Sequence, residues 1–98
     1  MLVFIIIADL YLAKVIQMNY KCPCCGFYTL TEEPGNWDIC EVCFWEDDPV
    51  QREDETFSGG ANDVSLEQAR RNYIKFGACE ARHKQYVRSP FDYEKRGG

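Results

Sequence analysis

The chain has a single histidine, no cluster of lysine or arginine, and no long apolar run. Its 11 Lys and Arg are outnumbered by 16 Asp and Glu, for a formal net charge of −5. Without a basic footprint the phosphate backbone of a nucleic acid is repelled, so no nucleic-acid partner is expected. His83 has no second histidine and no serine partner, so no catalytic triad can be written around it, and its neighbours Arg82 and Lys84 suggest a solvent-facing ring. Met1 to Ala8 is apolar but far short of the about 20 residues that cross a bilayer. No Lys or Arg precedes that run, Asp9 follows it, and no small-x-small cleavage site comes cleanly after it, so neither export nor membrane anchoring is expected. Ser58-Gly59-Gly60-Ala61-Asn62 lacks the Gly-Lys-Ser/Thr ending and the preceding apolar strand of a phosphate-binding loop. It is expected to be a flexible connection.

What the chain does have is cysteine. Cys22 and Cys25 enclose two residues, Cys40 and Cys43 enclose two more, and 14 residues separate the pairs. Four thiolates so spaced can converge on one tetrahedral ion, so the segment reads as a zinc ribbon with a structural site. Six cysteines in a chain this short could instead form disulfides. The weak export signal argues for the cytoplasm, where thiols stay reduced. Four cysteines can also hold a single iron, as in rubredoxin-type electron carriers. Four thiolates close the coordination sphere, which argues against a hydrolytic zinc enzyme. Zinc on four thiolates takes the net charge to about −7.

Local signals place elements around the pairs. Gly26 follows Cys25 and supplies a permissive turn residue, and Pro23 fixes the first bend. Phe27 to Thr31 reads as a strand, Glu33-Pro34-Gly35-Asn36 as a type II turn, and Trp37-Asp38-Ile39 as the returning strand of a hairpin. Phe44 and Trp45 are expected to pack over the metal site or the hairpin. Glu46-Asp47-Asp48 and Glu53-Asp54-Glu55 read as solvated loop, with a cation site or a face for a basic partner as the functional alternative. Ser65 with Gln68 forms a capping box ahead of a helix whose Leu66, Ala69, Tyr73 and Phe76 share a face and which Gly77 ends. A second short helix is expected from about Cys79 to Val87, broken by Ser89-Pro90, and then a loose tail from Phe91 to Gly98. Cys24 is expected to point away from the metal, as a bystander or an alternate ligand. Cys79 is either a small buried residue or a helix-terminal thiol of lowered pKa.

The run Tyr20-Lys21-Cys22-Pro23-Cys24-Cys25-Gly26, followed by Cys40-Glu41-Val42-Cys43-Phe44-Trp45-Glu46-Asp47-Asp48 and Ser58-Gly59-Gly60-Ala61-Asn62, resembles the bacterial cysteine-rich CPCC family. The likeness covers roughly residues 18 to 88. It implies a small metal-binding fold rather than a particular activity. The apolar residues 1–17 depart from the pattern. They form either a strand or short helix against the core, a sticky interaction surface, or sequence upstream of a true start at Met18.

The expected architecture is α+β. A single domain spans residues 18–98, with a zinc ribbon and acidic loop over 18–60 and a helical region and tail over 61–98. Zinc is held by Cys22, Cys25, Cys40 and Cys43, and iron is the alternative. The expected role is noncatalytic: acidic and aromatic surface offered to a basic protein partner, like an immunity or antitoxin protein by analogy, with no small-molecule substrate. A thiol-redox role through Cys24, Cys25 or Cys79 is the competing expectation.

Overall fold

A computed structural model describes residues 19–95. The expectations for the apolar extension and for the last residues of the tail fall outside them. The described elements are strands β1 (Tyr20–Lys21) and β2 (Tyr28–Leu30), helices α1 (Pro49–Glu53) and α2 (Leu66–Phe76), a 3-10 helix (Ala81–Tyr86) and helix α3 (Asp92–Lys95). A two-stranded antiparallel sheet with helices and a four-cysteine cluster is compatible with a zinc ribbon.

The strand pairing differs from the expected hairpin. β2 turns back onto β1, with Tyr20 opposite Leu30 and Lys21 opposite Tyr28, so the first cysteine pair sits in the turn between them. Ile39 pairs instead with Glu46 across the second cysteine pair. Each CxxC segment therefore closes its own small hairpin. The linker between them is tied by a side chain: Asp38 Oδ2 accepts from the Thr31 backbone N–H at 2.8 Å. β-Propensity marks extended residues without choosing their partners, which is why the pairing had to be seen. The turn around Gly35 forms as expected, at φ +82°.

The acidic run is corrected most. Asp47 is 1% exposed, pairs with Arg52 at 3.0 Å and accepts the Gly35 N–H at 2.8 Å. Asp48 caps α1 by accepting from Val50 N, and also takes Ala61 N–H. Pro49 occupies the first helical position, where its missing N–H costs nothing. These two carboxylates are therefore structural and not solvated loop. The 58–62 segment is likewise built rather than flexible. Asn62 accepts from Glu46 N and donates to Glu46 O, and the fully buried Gln51 amide binds Asn62 through both its oxygen and its nitrogen. A Cβ at Gly60 would lie 2.5 Å from Asp48 Oδ2, so the glycine is required for that contact.

α2 follows its sequence signals closely. Ser65 Oγ accepts Gln68 N–H, and Gly77 takes the left-handed conformation at φ +80°. The capping box is half formed, because the Gln68 side chain bonds Asn72 instead of reaching back. Leu66 and Ala69 are fully buried against Leu30, Val42, Trp45 and the cysteines, while Tyr73 lies at the edge of this core. The second helix is a 3-10 segment starting at Ala81, and Cys79 precedes it. The tail is docked at least to Lys95: Glu94 is 2% exposed and makes a two-pronged ion pair with Arg88 at 2.8 and 2.9 Å. Among the described residues no helix is long and apolar enough to cross a membrane.

Candidate metal centre

The two turns share one backbone template. Cys22 N–H donates to Phe27 O and Gly26 N–H to Cys22 O; Cys40 N–H donates to Trp45 O and Phe44 N–H to Cys40 O. Both turns end on a left-handed residue, Gly26 at φ +82° and Phe44 at φ +71°. Each also has its second residue's carbonyl held by an arginine. Arg70 Nε donates to Pro23 O at 2.9 Å, and the Arg88 backbone N–H to Glu41 O at 3.2 Å. The second turn is tied once more, by Cys79 N–H donating to Cys43 O at 2.7 Å.

Facing each other, the turns bring Cys22, Cys25, Cys40 and Cys43 together, with all four sulfurs within 4.8 Å of one another. The closest cross-turn pairs are Cys22 to Cys43 at 3.6 Å and Cys25 to Cys40 at 3.7 Å. A regular tetrahedron with metal–sulfur distances of about 2.3 Å has edges of about 3.8 Å, so these separations fit an ion at the centre. Three of the four cysteines are buried and Cys25 is half-buried.

Charge makes the same case. The Cys40 thiol is held far below its ordinary range, chiefly by hydrogen bonds from Cys22, Cys25 and Cys43, with the Thr29 hydroxyl adding to them at 2.9 Å. Cys22 is pushed up by its hydrogen bonds with Cys25 and Cys40, and Cys43 is pushed up by burial. Sulfurs this close resist ionising together unless a cation sits among them. The arrangement is positioned to hold a metal ion, whose charge lets every ligand be a thiolate. The sequence reading had Thr29 only as a strand residue and gave it no part in the site. Its alternation within β2, with a hydroxyl on the inward side, was the one available signal.

A sequence model of the family described as cysteine-rich CPCC matches residues 20–94. The chain belongs to that family. The CPCC signature is Cys22-Pro23-Cys24-Cys25, the first turn of the site. No curated protein matches the chain.

The other candidates fall outside the four-sulfur cluster. Cys24 is 7% exposed and packs in the core, so it does not displace a neighbour. Cys79 is 1% exposed and its thiol is pushed up to about 12, mainly by burial, which is the reverse of a helix-activated nucleophile. His83 is not solvent-facing. Its ring lies 4.7 Å from that of Phe44, its Nε2 is 3.4 Å from Glu80, and its buried Nδ1 has no partner. Phe44 also stacks on Tyr86 at 5.2 Å. Trp45 is fully buried in the core. The expected aromatic and acidic surface therefore loses Trp45, Asp47 and Asp48, and keeps Phe44 and Glu46.

Proposed function

We propose that this CPCC protein is a structural zinc ribbon that serves as a noncatalytic interaction module for a basic protein partner. The supporting observation is the closed cage: four sulfurs surround one point, and a closed thiolate shell leaves no coordination position for substrate or water. Zinc is chosen over iron because a closed structural site of four thiolates is its usual role, although ligand type alone does not select the metal. The depth of Cys24 and the raised thiol of Cys79 favour this reading over thiol-redox chemistry. The acidic balance, −5 before any metal is bound, favours a basic partner.

Two measurements test the parts separately. Freshly purified protein is expected to be colourless; a red protein with visible charge-transfer bands would make it an iron carrier. Affinity capture from the native organism with the zinc-loaded chain is expected to retain a basic protein that high salt releases. Repeated capture without any protein partner would remove the interaction role.

A further inference from the structure

The second turn carries a feature that the first lacks. Phe44 holds a left-handed backbone that its counterpart fills with glycine, and a bulky residue there is a genuine outlier. Such outliers gather where a side chain has a task. Here the backbone sets the Phe44 ring against His83 and Tyr86, beside a cavity of about 140 Å³. Phe44, His83 and Ile39 supply its apolar lining, Glu46 and Glu80 supply acid, and Arg82, paired to Glu80 and Asp63, supplies a cation.

Two of the polar groups there are unspent. The Glu46 carboxylate has no ion pair or hydrogen bond among the described residues, although its backbone is fully engaged with Asn62. His83 Nδ1 is buried without a partner. The rim already shows how a guanidinium is held. Arg82 donates from Nε to Glu80 at 3.0 Å and from Nη2 to Asp63 at 2.8 Å, which leaves Glu46 as the acid without a cation.

Resting on the interaction role above, we propose that this cavity is the recognition pocket, and that it takes one arginine side chain of the basic partner. The guanidinium would pack against the Phe44 and His83 rings, which are inclined by 42° to each other, and pair with Glu46, while its alkyl stem covers the exposed Ile39. An aromatic floor, an unpaired carboxylate and room for a single side chain match a planar cation better than a compact ammonium. The contrasting basin over the first turn is lined by Lys21, Arg52 and Arg70 with no carboxylate among its lining residues, so it offers such a ligand no counter-charge.

The test is an amide and aromatic NMR titration of the zinc-loaded chain with the peptide Ac-Gly-Arg-Gly-NH2. Its citrulline analogue, which keeps the shape and loses the charge, is the control. Shifts are expected at Phe44, Glu46, Ala61 and His83 with the arginine peptide, and at least fivefold weaker binding with citrulline. Glu46→Gln should weaken the arginine peptide about five- to tenfold, while Lys21→Ala should not. Glu46 uses only its backbone in the fold, so an unchanged amide spectrum verifies that E46Q is folded. Shifts that are equal for citrulline, that lie elsewhere, or that are absent throughout would overturn the pocket. A captured basic partner whose binding ignores E46Q would overturn the pocket and leave the wider interaction role standing.

Discussion

The two cysteine turns are the same device in different surroundings. Residue for residue, Cys22 to Phe27 and Cys40 to Trp45 make the same pair of backbone hydrogen bonds, and both end on a left-handed residue. The first turn uses glycine there, and its following aromatic, Phe27, is only half-buried, edge-on to Tyr73. The second uses Phe44, places Trp45 in the centre of the core, and is tied down once more by Cys79. The metal chemistry needs only what the turns share. Their differences divide the remaining work: the first turn is a plain clamp, and the second joins the clamp to the core and carries the half-buried Phe44 ring beside the cavity.

If the shared part is the cage, breaking it from either side should cost the same. Cys22→Ser and Cys43→Ser are each expected to abolish metal retention and cooperative thermal unfolding, because structural zinc supplies on the order of 10 kcal/mol in small domains. A variant that kept one metal per chain and a sharp transition would show that its turn is dispensable. The largest asymmetry should follow from the aromatics. Trp45→Ala is expected to destabilise the fold by about 3–5 kcal/mol in chemical denaturation and Phe27→Ala by roughly half that. Equal costs would contradict the central role given to the second turn.

A smaller effect lies in the tail that braces the second turn through Arg88. Arg88 holds the Glu94 carboxyl below its ordinary value of 4.5. A group depressed on folding contributes stability that is present above its unfolded value and lost as pH falls through the folded one. Glu94→Gln is therefore expected to cost about 1–2 kcal/mol near neutrality, and the gap to the parent should close as pH drops below about 4.5. A gap that stayed constant with pH would mean that the ion pair contributes nothing. Effects of the same size or smaller test the left-handed positions. A Cβ at Gly26 meets only Lys21 Cε at 3.9 Å, so Gly26→Ala should cost about 1–2 kcal/mol from the backbone alone. Phe44→Gly relieves the same strain while losing its stacking, and should stay within about 1 kcal/mol of the parent. If Phe44→Gly proved as costly as Trp45→Ala, the ring would be as central to the core as Trp45 rather than at its edge.

Local chemistry was legible in the sequence, and long-range pairing was not. The cysteine spacing announced the cage, Ser65 and Gly77 bounded α2, and Gly35 marked its turn, because each signal acts within a few residues. Asp48-Pro49 could have been read as a helix start, an N-cap followed by proline, had the acids not been taken together as a charge run. Nothing local announces that Gln51 and Asn62 lock the 58–62 segment, that Arg70 reaches Pro23, or that Phe44 finds His83. Those partners lie far apart in the chain and meet only when the fold is assembled.

The account rests on one ion held by both turns, and elemental analysis of the purified chain, coupled to chelator titration, tests it most directly. One zinc per chain is expected, and its removal should abolish the cooperative fold. A chain that stays folded with no bound metal would contradict it.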